Sequence, residues 1–154
     1  MRQNLRPLRF NFKLFNSKRM NYWLVKSEPD TFSLDHFRAE KVTVWYGVRN
    51  YTARNNLRAM QLGDLCIFYR SVTKPAAVAL ARVVREQYQD PTTEETAWVA
   101  VDIELIDAFN TEVPLSLIKQ TPELADMALL KLSRLSVQPV TAFEFEVICK
   151  LGKG

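Results

Sequence analysis

The segment Trp98–Phe109 constrains the fold most. Val99, Val101, Ile103 and Leu105 share one face, and Asp102 and Glu104 take the other. That period of two is the mark of a half-buried β-strand. A strand of this length cannot bury its apolar face alone, so it belongs to a sheet of several strands. Further β-rich runs supply the partners: Tyr22–Lys26, Val42–Trp45, Leu65–Tyr69, Val78–Gln87 and a short Leu135–Val137. Helical signals lie between them. Ser33 caps a short helix with Leu34 and Phe37 on one side, and Asn50 caps a helix over Tyr51–Met60 that turns Leu57 and Met60 inward. Leu115–Gln120 and Pro122–Met127 read as short helical turns. Thr141 and Glu144 form a capping box over Ala142–Cys149, with Gly152 just beyond. Five or six strands with short surrounding helices predict an α+β domain built on a small β-barrel.

The chain has 154 residues, a length suited to one domain. It holds only four glycines and neither GxxxxGK[ST] nor GxGxxG, which argues against a phosphate-cradling loop. Cys66 and Cys149 are far apart, each within an apolar run, and read as buried thiols. His36 is the only histidine, so a zinc site or a Cys–His nucleophile is not expected, and no cofactor is implied. No apolar run approaches the roughly 20 residues that cross a bilayer, so no membrane partner is expected.

The formal charge of +4 is concentrated at one end. Residues 1–19 carry Arg2, Arg6, Arg9, Lys13, Lys18 and Arg19 and no acid. Without those six, 15 basic residues face 17 acidic ones, a net of −2. Binding of nucleic acid must then come from a local site and not from a broad positive field. Three readings of residues 1–19 stand: a disordered basic arm, a transit-like leader, or untranslated sequence upstream of a start at Met20. The last is favoured. The expected organisation is a leader over 1–19, a domain over 20–150 and a tail over 151–154.

Five polar clusters sit where strands meet loops, the edges at which small barrels bind. Lys26-Ser27-Glu28-Pro29 puts a cation, a hydroxyl and a carboxylate at a strand end; it is a base-reading edge or a plain polar turn. Trp45-Tyr46-Gly47-Val48-Arg49-Asn50 offers a stacking face, a phosphate contact and an amide, or else a buried Trp with a helix cap. Arg54 and Arg58 project together from one helix, toward phosphates or simply into water. Phe68-Tyr69-Arg70-Ser71 supplies a second aromatic wall, or ordinary strand packing. Ser133-Arg134-Leu135-Ser136 supplies a phosphate contact and a pocket leucine, or a connector. No arrangement looks catalytic, because general acid–base chemistry would rest on isolated groups such as Glu28.

Taken together, NYWLVKSEPDTFSLDHF, VWYGVRNYTARNNLRAMQLGDLCIFYRS and LADMALLKLSRLSVQPV strongly resemble the EVE-domain family, over about residues 21–149. The resemblance implies a PUA-like barrel related to YTH and ASCH domains. It implies a reader of a modified base, such as 5-methyl- or 5-hydroxymethylcytosine, flipped or single-stranded into an aromatic pocket. By motif position that pocket gathers Lys26, Ser27, Glu28, Trp45, Val48, Arg49, Asn50, Phe68, Tyr69, Ser71, Arg134, Leu135 and Ser136. Trp45 and a ring from Phe68 or Tyr69 would sandwich the base, and Arg49, Arg54, Arg58 and Arg134 would hold phosphates. Tyr46 stands where the family commonly carries an acid, and Arg70 where it often carries a histidine. The expected partner is DNA or RNA carrying a modified base, met by a monomer in the cytoplasm of a bacterium or the nucleus of a eukaryote. Two rivals belong to other classes: an RNA- or nucleotide-processing enzyme, and a small-ligand or protein-interaction module.

Overall fold

The computed structural model describes residues 20–153. The readings of residues 1–19 lie outside the described residues. The elements run β1 (Tyr22–Ser27), α1 (Leu34–Glu40), β2 (Val42–Trp45), α2 (Tyr51–Ala59), β3 (Leu65–Arg70), β4 (Ala76–Gln89) and β5 (Val99–Pro114). Then follow α3 (Leu115–Gln120), a 3-10 turn (Pro122–Leu124), α4 (Ala128–Lys131), β6 (Val137–Val140) and α5 (Ala142–Lys153). The class is α+β, as the alternation of patterns predicts.

The strands form one sheet in the order β2-β5-β4-β3-β1-β6. β1 and β3 are parallel, and every other pairing is antiparallel. Among the described residues β2 and β6 are open edges, so the sheet is not closed into the expected barrel. The long β4–β5 hairpin shifts register repeatedly, between Ala77 and Ala79 and again near Leu80, Val83 and Arg85. Such bulges bend and twist a sheet. Helix α2 packs against both β6 and β5, and Asn56 Nδ2 donates to the Val137 carbonyl at 2.7 Å. The helix thereby covers an edge that barrel closure would otherwise remove.

The sheet buries both faces. Trp23, Val25, Cys66, Phe68, Val101 and Ile103 face α1 and α2. Leu24, Leu65, Ile67, Tyr69 and Leu80 face the other helices. Alternation along β1 sends successive residues to opposite cores. The turn before β3 is tied by Asp64, whose carboxylate accepts from Trp23 Nε1 and the Gln61 amide, each at 2.9 Å.

Three local expectations change. The last strand is Val137–Val140 and not Leu135–Val137. The strand takes in Pro139 because β6 is an edge strand and tolerates a missing N–H. The terminal helix runs through Lys153, so residues 151–153 are helix and not tail. Gly152 lies inside it because the Phe109 ring packs there: a Cβ on Gly152 would sit 2.6 Å from Phe109 Cγ. Cys66 is buried, as expected, but Cys149 is only half-buried. The caps form as read, at Ser33, at Asn50, and as a reciprocal Thr141–Glu144 box with bonds of 3.0 and 3.1 Å.

The Gly152 contact yields a test. In an open helix Gly→Ala gains about 1 kcal/mol. Here overpacking costs about 1–3 kcal/mol, so Gly152→Ala is expected to lower the thermal midpoint by a few degrees, measured by circular dichroism.

Candidate nucleic-acid interface

Parallel pairing places Ser27 beside Arg70, so β1 and β3 end together. The chain following β3 folds back onto that end: the Ser71 amide donates to the Ser27 carbonyl at 2.9 Å and Ser71 Oγ donates to the same oxygen at 3.2 Å. The Ser27 hydroxyl donates to the Phe32 carbonyl. On the other side of β1, the Lys26 amide donates to the Ser136 carbonyl at 3.0 Å, and Lys26 Nζ donates to the Ser133 carbonyl at 2.6 Å. Three separate segments thus meet at one end of the sheet. Burial lowers the Lys26 pKa from its ordinary value.

Aromatic rings lie beneath this rim. Trp45 and Phe68 have centroids 6.0 Å apart and cross at 86°. Phe32 meets both edge-on, at 6.2 and 6.1 Å, and Phe37 packs on Phe68 at 5.1 Å. Val48 and Leu135 belong to the same buried cluster. A cavity of about 300 Å³ opens over Phe32 and Phe68 toward the start of α1, walled also by Ser27, Ser33, Arg38, Val78, Arg70 and Glu112, while Trp45, Val48 and Leu135 pack behind Phe68 and are not in its lining. That is the lower end of the range for ligand pockets, about 300–1,000 Å³. Arg70 crosses to Glu112 by two bonds of 2.9 and 2.7 Å. These bonds raise the Arg70 pKa and lower that of Glu112.

The loop from Tyr46 to Asn50 is held by Asp90, from the turn between β4 and β5. Its carboxylate accepts from the Gly47 amide at 2.8 Å, from Arg49 Nη1 at 2.9 Å, and from the Thr92 amide and hydroxyl at 2.7 and 2.6 Å. Gly47 takes φ +82°, a conformation that favours glycine. Burial alone would raise the Asp90 carboxyl. The bonds from Thr92, Gly47 and Arg49 outweigh it and hold the group well below the usual carboxylate range.

The expected site residues divide. Lys26, Ser27, Ser71 and Ser136 meet at the rim, and Trp45, Val48, Phe68 and Leu135 pack below. Tyr69 does not join them: it faces the opposite core, because neighbours on a strand alternate, and burial pushes its hydroxyl up to about 12. Trp45 and Phe68 are perpendicular, so they present a face and an edge and no parallel sandwich. Glu28 is exposed beside the rim, its carbonyl accepting from the Thr31 and Phe32 amides. Asn50 Oδ1 is spent capping α2 at the Ala53 amide, 2.9 Å away. Arg49 is committed to Asp90, and Arg54 Nη1 donates to the Ala97 carbonyl at 2.7 Å. Arg58 and Arg134 are exposed and have no partner among the described residues. Phe32 and Asp90 went unrecognised in the sequence. Phe32 follows a turn with no periodic partner, whereas the Asp-Pro-Thr-Thr run around Asp90 signals a side chain that bonds its own turn.

The EVE domain family model matches residues 21–151. Mouse thymocyte nuclear protein 1 is 35% identical, over 91% of this chain and 77% of its own. A hypothetical protein from Leishmania major superposes with a TM-score of 0.83 at 40% identity, covering 88% of this chain and 96% of that one. Human THYN1 protein, solved in complex with 5-methylcytosine containing DNA, superposes with a TM-score of 0.80 at 32% identity, covering 87% and 98%. The YTH domain of Zygosaccharomyces rouxii MRB1 protein, at 16% identity and a TM-score of 0.54 over 88% of each chain, shares the fold.

Asp90 gives the site a pH signature. Its folded pKa lies below the ordinary 3.8, so its contribution is fully present above that value. It is lost as pH falls below 3.8 toward the folded pKa. Asp90→Asn is expected to cost about 1–3 kcal/mol at neutral pH and to flatten the acid limb of stability, measured by urea unfolding across pH.

Proposed function

We propose, from the fact that this chain belongs to the EVE-domain family, that it is a nucleic-acid-binding reader of a modified base. The observation that carries the reading is the human relative solved with 5-methylcytosine containing DNA, joined to the ring-floored, hydroxyl-rimmed cavity of this chain. A single-stranded or extruded base enters at the shared end of β1 and β3. Phe32, or Trp45 packed against it, stacks on the base, and a methyl or hydroxymethyl group fills space against the apolar lining of Phe68, Val78 and Leu34. Ser27, Ser136 and Glu28 meet its polar edge. The base is held and not converted: Lys26 is engaged with the Ser133 carbonyl, and the lining Ser33 hydroxyl, beside His36 Nδ1, is taken up as the cap of α1, accepting from the His36 amide.

Phosphate contacts fall to the unpartnered cations Arg134 and Arg58, with Arg49 and Arg54 holding the protein's own loops instead. Two such contacts give a shallow salt dependence, a log–log slope of about −2.

Trp45 is only 9% exposed, so its truncation to alanine would damage the core. Trp45→Phe keeps the core filled. It is expected to weaken binding of a 5-methylcytosine oligonucleotide about tenfold through lost stacking, with a thermal midpoint shifted by only a few degrees. Arg134→Ala is expected to reduce the salt slope by about 1, measured by fluorescence titration at several salt concentrations. Unchanged affinity in the first variant and an unchanged slope in the second would refute the assigned pocket.

A further inference from the structure

The connection between β3 and β4 is strained at an exposed residue. Val72 has φ +70° and is 73% exposed. Across it the Thr73 amide donates to the Ser71 carbonyl at 2.9 Å, which makes a γ-turn of the rare positive-φ form. A β-branched residue in that region is an outlier. Lys74 follows with φ +48°.

Strain of this kind persists only where the surroundings impose it. Here both ends of the loop are clamped. Ser71 makes its two bonds to the Ser27 carbonyl, and Arg70 Nε donates to the Lys74 carbonyl at 2.9 Å while its guanidinium grips Glu112. Packing does not account for Val72, which belongs to neither core. Glycine would adopt the turn freely and a polar residue would suit water, yet the position holds an apolar branched side chain beside the rim of the cavity. Of its neighbours Arg70 is paired with Glu112, while Ser71, Thr73 and the cation Lys74 offer two hydroxyls and a positive charge, groups that suit an anionic backbone.

We propose that Val72 is a wedge that enters a duplex at the step vacated by the extruded base. The proposal rests on the base-reader function. Extrusion leaves an unstacked gap, and a rigid apolar side chain that fills it offsets the lost stacking. The clamped turn holds the side chain in place before binding, so little ordering is required on contact. Reading of duplexes then depends on Val72, and reading of single strands does not.

The test uses the full chain and Val72→Gly, with a 5-methylcytosine oligonucleotide as a single strand and as a duplex. Glycine relieves the positive φ, so the thermal midpoint is expected to hold or rise. Duplex affinity is expected to fall about tenfold, the factor for burying a side chain of this size. Affinity for the single strand stays within about twofold, less than 0.5 kcal/mol. Undiminished duplex binding, an equal loss on both forms, or a wild-type protein that ignores the modified duplex would overturn the wedge while leaving the reader intact. Binding to neither form would overturn both.

Discussion

Strand β1 lies parallel to β3 and antiparallel to β6, and Tyr22, Trp23, Leu24 and Val25 are buried to both sides of the sheet. Each core cluster includes side chains from this one strand. A strand buried on two faces needs helices on both, and the chain provides α1 and α2 for one and α3 to α5 for the other. Because β1 and β3 run the same way, they also finish at the same place. The polar residues after each strand, Ser27 and Ser71, therefore share a hydrogen-bonded corner although they are far apart in sequence. The candidate site is a consequence of that parallel pairing, and the antiparallel β6 adds Ser136 to the same corner.

Rigid supports surround this corner. Asp90 gathers Gly47, Arg49 and Thr92 into one network and so fixes the loop that carries Val48. Arg70 and Glu112 close one wall of the cavity, and the clamped β3–β4 turn extends from it. Hydrogen bonds to ionised groups are about twice as strong as neutral ones. Charge in this region is therefore spent mainly on shape, leaving Arg58 and Arg134 for contact with an outside anion. This division suits the net of −2 over residues 20–154, which present no broad positive field.

Much of this was legible in the residues. Period-two alternation located β5, and the caps at Ser33, Asn50 and Thr141 located three helices, because these signals are local. The residues that meet at the rim were recognised as polar groups at strand ends and as matches to EVE-domain motifs. What failed depended on non-local facts. Whether a sheet closes depends on bulges and edge geometry, which no single strand encodes. Gly152 stood just beyond the expected helix because Phe109, distant in sequence, was not seen to need its space. Arg49 and Arg54 looked like free phosphate contacts, since their partners Asp90 and Ala97 come from another hairpin. Tyr69 was assigned to the pocket beside Phe68, although strand alternation alone argues against both rings facing one way.

The central claim is that the cavity at the end of β1 and β3 distinguishes a modified base from its parent. The direct measurement is a paired titration of the full chain with two single strands that differ only in 5-methylcytosine against cytosine, followed by tryptophan fluorescence. Burying one added methyl is worth about 0.8 kcal/mol, so the account predicts affinity for the methylated strand higher by about fourfold or more, with quenching that saturates at one base per protein. Equal affinity for the two strands, or quenching indifferent to the methyl group, would contradict it.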